Sequence, residues 1–153
     1  MSKENSSEYM RRMHPILMRK DYKTPDGNNF YCKNIGLGVA DSLIQEGQRP
    51  FLMRFESRVI EDGELWTELL FPKPFAGRVK WGSHTVCCVL DENKNTVVYD
   101  PIAKTPLPQK EYEKYVFGKP LQGTVISSQI KTRELVERQK QAARLTAMMK
   151  DYL

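Results

Sequence analysis

Two apolar segments, residues 84–90 (His-Thr-Val-Cys-Cys-Val-Leu) and 96–99 (Thr-Val-Val-Tyr), flank the polar run Asp91-Glu92-Asn93-Lys94-Asn95. Such segments on either side of a turn-forming cluster read as an antiparallel hairpin, and its geometry limits which side chains can meet. If the turn closes with Leu90 opposite Lys94, His84 lies directly across from Asp100. If it closes with Leu90 opposite Thr96, Asp100 becomes the diagonal neighbour of His84. Side chains alternate faces along a strand, so both registers place the two residues on one face. A slip by one residue would separate them. Val86 and Val98 would support the pair from the core side. His84 is one of only two histidines in the chain.

The rest of the chain is organised around this hairpin. Residues 1–13 are charged and polar and read as frayed at the start, with Met10, Met13 and Leu17 forming a short apolar face and Pro15 opening a second turn. Residues 21–31 contain Pro25, Asp26, Gly27 and Asn28 and read as a loop. Residues 32–46 read as a helix: Ile35, Val39, Ser42 and Leu43 share a face, Asn28 and Asn29 are candidate N-caps, and Gly47 is placed to end it. Gly36 and Gly38 weaken that helix by ~1 kcal/mol each relative to alanine, which points to a backbone packed close against them. Residues 50–60 read as a strand region, Asp62-Gly63 as a tight hairpin turn, and 65–71 as the returning strand. Residues 72–82 form a long loop, 101–108 are irregular, 110–117 form a short helix and 123–128 a last strand. Residues 132–152 read as a charged amphipathic helix. The order is helix, antiparallel sheet, basic helix, an α+β layout, and a length of 153 residues suits a single domain over 1–153, with 1–20 as an N-terminal extension and 130–153 as a C-terminal helix.

Cys32 falls in the first turn of the glycine-containing helix. A thiol there faces free backbone N–H groups and the positive end of the helix dipole, which favours the thiolate. An adjacent imidazole would favour it further, and a carboxylate behind the imidazole would fix its orientation. Cys32, His84 and Asp100 thus supply nucleophile, base and orienter. Against this stand simpler roles: a buried thiol as a small hydrophobe, a hydrogen-bonded strand histidine, and an aspartate as a turn residue before Pro101. Trp81, three residues before His84, is a candidate to shield the His–Asp pair or line an acyl pocket; ordinary loop packing is its alternative. His84 and Cys88 share a face while Cys87 points the other way, and no second histidine is near, so no metal site is expected. Cys87 and Cys88 read as core residues on the two faces of a covered strand.

A cysteine opening a helix, then Ser83-His84-Thr85-Val86-Cys87-Cys88-Val89, then Val97-Val98-Tyr99-Asp100-Pro101, resembles the papain-like and transglutaminase-like cysteine superfamily. With its short length and basic composition, the chain is most similar to the papain-fold toxin domains of bacterial polymorphic toxins and secreted effectors. The resemblance spans residues 28–121. It implies a papain-like core in which the helix bearing the cysteine packs on an antiparallel sheet bearing the histidine and aspartate. It also implies a thiol enzyme acting on an amide or acyl bond of a protein or peptide: a deamidase, a transglutaminase-like acyltransferase or a cysteine peptidase. A toxin or effector would in addition have an inhibitory or immunity protein as partner and be delivered out of the cell. The chain departs from papain at two places. The run around the nucleophile is Tyr31-Cys32-Lys33-Asn34 rather than Cys-Gly-Ser-Cys-Trp, and Asp26 stands where papain has its oxyanion glutamine. The backbone N–H of Cys32 is one oxyanion donor, and Asn28 and Asn29 are the nearest candidates for the other.

Charge and composition bound the alternatives. The net charge of +5 favours acidic partners. The basic residues of the last helix have no interleaved aromatics before Tyr152, so nucleic-acid binding is not expected. No apolar stretch is long enough to span a bilayer, no glycine-rich phosphate loop or other cofactor motif is present, and three cysteines do not make a disulfide framework. With no secretory signal pattern in residues 1–9, the expectation is synthesis and residence in the cytoplasm. The competing reading is a non-catalytic interaction module of the same fold that binds an acidic partner.

Overall fold

The computed structural model describes residues 4–18, 30–121 and 125–129. The first element, α1 (Ser6–Leu17), starts one residue after Asn5, whose side chain accepts the Glu8 backbone N–H and so caps a free helical donor. The short apolar face expected of Met10, Met13 and Leu17 is buried, with Ile16 beside it; residues 1–3, the start that reads as frayed, lie outside the described residues. Pro15 sits exposed in the last turn of this one continuous helix rather than opening a second turn.

The second helix, α2 (Phe30–Gln45), ends as expected at Gly47, where φ is +82° and the Gln48 N–H returns to the Leu43 carbonyl. Its two glycines have different neighbours. A Cβ on Gly36 would lie 3.6 Å from the Cys87 backbone nitrogen and 3.7 Å from the Val86 carbonyl carbon, the close backbone that the sequence implies. Gly38 faces a side chain instead: a Cβ there would lie 2.8 Å from Cζ of Tyr9 on α1. One glycine seats α2 on the sheet and the other seats α1 on α2.

The main sheet is antiparallel, with strands β1 (Phe51–Phe55), β4 (His84–Leu90), β5 (Thr96–Tyr99), β6 (Leu107–Pro108) and β7 (Val125–Gln129) in the order β6-β5-β4-β1-β7. The region read as one strand over 50–60 is broken at Glu56. This buried carboxylate is clamped by Arg54 at 2.8 Å and Arg58 at 2.7 Å, and beyond it β2 (Ser57–Glu61) leaves the sheet. With β3 (Glu64–Glu68) it forms a separate two-stranded ribbon around Asp62 and Gly63, both at positive φ, as a type I′ turn requires. Ile60, Leu65 and Trp66 are exposed on this ribbon. The predicted continuation to residue 71 stops short; Leu70 instead exchanges two backbone hydrogen bonds with Trp81, at 2.7 and 2.8 Å, closing the loop between them. That loop holds a short 3₁₀ turn, Lys73–Phe75. The last described helix, α3 (Gln109–Phe117), ends at Gly118.

The architecture is therefore mixed α+β with antiparallel sheets. The core lies between α2, α3 and the main sheet, and Cys87 and Cys88 are both fully buried on β4. The C-terminal helix read over 130–153 lies outside the described residues.

The two glycines of α2 should respond oppositely to alanine. Gly36→Ala meets only ordinary contacts and gains helix propensity, so it should be neutral or stabilising by up to ~1 kcal/mol. Gly38→Ala drives a methyl into the buried Tyr9 ring and should destabilise by roughly 1–3 kcal/mol. Urea denaturation of the two variants checks both signs.

Candidate active site

The site begins with the β4–β5 register. Leu90 pairs with Thr96 and Cys87 with Tyr99, the second of the two closures open to the sequence, so Asp100 follows β5 as the diagonal neighbour of His84. His84 Nε2 lies 2.8 Å from Asp100 Oδ2. Cys32 comes from the third residue of α2, one turn before Gly36 and on the same helix face. Gly36 lies on the face of α2 that rests on β4, and one turn earlier on that face the Cys32 thiol reaches the imidazole: Sγ lies 3.2 Å from His84 Nδ1. The ring thus touches the thiol through one nitrogen and the carboxylate through the other. All three side chains are buried, with Cys32 9%, His84 2% and Asp100 5% exposed.

Trp81 lies flat on the imidazole, with ring centroids 3.9 Å apart and planes 5° from parallel. Phe75 meets the indole edge-on at 6.0 Å. The electron-rich indole face favours a cation beneath it. Trp81 also lines a small cavity of about 20 Å³ beside the thiol, shared with Leu17, Ile35, Phe75 and Ile102. The Trp81 indole N–H is buried and has no acceptor among the described residues. Asn28 and Asn29, the candidate oxyanion donors, lie outside the described residues. The Cys32 backbone N–H belongs to the first turn of α2, where N–H groups lack intrahelical acceptors.

Several contacts escaped the sequence reading. Asp100 Oδ1 accepts the Ile102 backbone N–H at 3.1 Å, an Asx turn, and Asp100 Oδ2 also accepts the hydroxyl of Tyr112 from α3. Asp before Pro signals the turn, but nothing in the spacing links residue 112 to residue 100. The second histidine, His14, lies with Nδ1 3.0 Å from the Pro101 carbonyl and ties α1 to the corner that carries Asp100.

The electrostatics favour a charged imidazole. Burial pushes His84 down, but the charge of Cys32, the hydrogen bond and charge of Asp100 and the hydrogen bond to Cys32 outweigh it, so His84 is pushed up to about 10. Burial drives the Cys87 and Cys88 thiols the other way, well above the ordinary cysteine range, and keeps them protonated. Among the described residues no group of three His, Cys, Asp or Glu side chains could hold a metal ion, and no described helix is long and apolar enough to cross a membrane.

His84 should therefore remain an imidazolium through neutral pH. Ring NMR signals of labelled histidine should place its midpoint near 10, and Cys32→Ala should lower it by removing the largest raising influence. The folded-state value lies above the unfolded one. The stability His84 contributes is thus complete below about pH 6.5 and is lost as pH rises through about 10. A wild-type midpoint at the ordinary histidine value would remove the ion pair from the site.

Comparison with protein-family models, with curated proteins and with solved structures returns no match to this chain. The geometry of the site is accordingly the ground for any functional reading.

Proposed function

We propose that the protein is a thiol enzyme of papain-like or transglutaminase-like type that acts on an amide or acyl bond through Cys32, His84 and Asp100. One observation carries this reading: a single buried imidazole sits 3.2 Å from a thiol sulfur and 2.8 Å from a carboxylate oxygen, through its two different nitrogens. A packing histidine needs any two partners; a nucleophile–base–orienter set needs these two. The layout supports the finer fold reading as well, since the cysteine comes from a helix start, the histidine from β4 and the aspartate from the residue that follows its antiparallel neighbour β5.

The chemistry follows from the placement. Cys32 attacks the substrate carbonyl, and the oxyanion is met by the Cys32 backbone N–H. His84 delivers its Nδ1 proton to the departing amine, leaving a thioester on Cys32. Water or a second amine then attacks the thioester, His84 takes up its proton, and the thiolate leaves. Asp100 holds Nε2–H throughout and stabilises the imidazolium; it does not take the proton. The small size of the chain and the match of the His84-Thr85-Val86 run with the Val98-Tyr99-Asp100-Pro101 strand end favour deamidation or acyl transfer on a protein over general proteolysis. The sequence resemblance to papain-fold toxin and effector domains points to a host or competitor protein as the substrate.

Cys32 should react with iodoacetamide much faster than Cys87 or Cys88, and His84→Ala should slow it by roughly tenfold or more at neutral pH. Mass spectrometry of timed samples reads each site, and equal rates at all three cysteines would exclude an activated nucleophile. Asp100→Asn should keep the fold and lose up to ~10⁴-fold in rate, the scale seen for orienter loss in serine proteases. Activity is read by intact mass after incubation with glutamine-rich proteins and a mixed peptide library. Deamidation increments or amine adducts that depend on Cys32 support the preferred reaction, whereas peptide cleavage alone marks a peptidase. No change, with an unreactive Cys32, would leave the interaction module that binds an acidic partner.

A further inference from the structure

Asp100 receives three donors from three directions. His84 reaches it from β4, the Ile102 N–H from its own loop, and the Tyr112 hydroxyl from α3. The distribution is uneven: Ile102 takes Oδ1, while His84 and Tyr112 share Oδ2. A carboxylate oxygen has two lone pairs, so Oδ2 is filled, and the carboxylate has lost its freedom to rotate about Cβ–Cγ. Tyr112 is itself locked. It is fully buried, its ring centroid lies 5.5 Å from that of Phe55 and 6.3 Å from that of Phe117, and Phe55 is the cross-strand partner of His84.

We propose that Tyr112 is a positioning residue of the thiol site: its hydroxyl sets the rotation of the Asp100 carboxylate, so that Oδ2 faces His84 Nε2 and turns Nδ1 toward Cys32. The proposal rests on reading Cys32, His84 and Asp100 as a thiol triad. An Oδ2 that already accepts two donors is a poor place for the imidazolium proton, so the proton stays on the ring until a leaving group claims it. Tyr112 remains a phenol in this role, since burial and then the charge of Asp100 push it well above the usual tyrosine range. The titratable groups that bear on Asp100 are His84 and Cys88 from β4, Tyr112 from α3 and, through His84, Cys32 from α2. A tyrosine that merely needed a buried acceptor would show the same hydrogen bond, but its removal would change stability and leave the site's titration alone.

The test uses Tyr112→Phe in the full chain, which keeps the ring and deletes only the oxygen. Its readouts are the His84 NMR midpoint and the rate of Cys32 alkylation by iodoacetamide, neither of which needs a known substrate. Without the hydroxyl the carboxylate swings off Nε2, so the midpoint should fall by roughly one pH unit and alkylation at neutral pH should slow several-fold. An unchanged midpoint and rate would overturn the proposal. So would a raised midpoint, because Tyr112 would then be competing with His84 for Oδ2. If Tyr112→Phe does not fold, the wild-type protein still decides. The buried Tyr112 hydroxyl proton should give a slowly exchanging signal that shifts as His84 titrates near 10, and a signal indifferent to that titration would overturn the proposal. Failure of the triad itself looks different: a wild-type His84 with an ordinary midpoint, or a Cys32 no faster than Cys87 and Cys88, removes the site and this proposal with it.

Discussion

The pairing of Cys87 with Tyr99 decides where the chemistry-bearing groups of the sheet can be. It puts Asp100 just beyond the last rung of β5, two positions diagonal to His84, where the backbone is already turning into Pro101. A residue at a strand end is free to point its side chain back along the sheet, and Asp100 does so to reach Nε2. On the other side of the imidazole, the approach depends on α2 resting on β4 through Gly36. The site is the meeting of these two contacts. One is set by the hydrogen bonds of the ladder, the other by the packing of α2 on β4.

The packing around the site follows from these contacts in turn. With α2 seated on β4, Gly38, two residues on and so on nearly the opposite side of the helix, faces α1, and the Tyr9 ring fills the space that a side chain would occupy. His14, on the same α1, reaches the Pro101 carbonyl. The first helix therefore touches both arms of the site, the helix that offers the thiol and the corner that offers the carboxylate. Burial of charge is tolerated here because each charged group has near partners: imidazole between thiol and carboxylate, carboxylate beneath three donors.

What was legible in the sequence was local. The turn Asp91–Asn95 between two apolar runs contained the hairpin, and alternation alone put His84 and Asp100 on one face, whichever register closed. Gly47 and Asp62-Gly63 announced their turns because positive φ admits few residues. The contacts that join distant segments had no such signature. Tyr112 sat in a correctly read short helix, but its hydroxyl meets Asp100 only through the packing of α3 on Phe55. Glu56 lay inside the region read as one strand over 50–60, and its ion pairs with Arg54 and Arg58 exist only once the chain bends there. Gly38 announced a close neighbour but not that the neighbour was an aromatic ring. Asn28, Asn29 and residues 130–153 lie outside the described residues, so their assigned parts rest on the sequence.

The paired hydrogen bonds between Leu70 and Trp81 act as a clasp. They hold the indole against the imidazole by backbone groups, which do not depend on what the enclosed residues are. The ends of a clasped loop stay in place when its interior grows or shrinks, and the entropic cost of added length rises only slowly. The exposed tip at Ala76 and Gly77 can therefore change in length and sequence, while Phe75, edge-on to the indole, and the buried Val79 are held to what the ring stacked on His84 requires. A lineage built on this scaffold has there a place to vary while Cys32, His84 and Asp100 stay where they are.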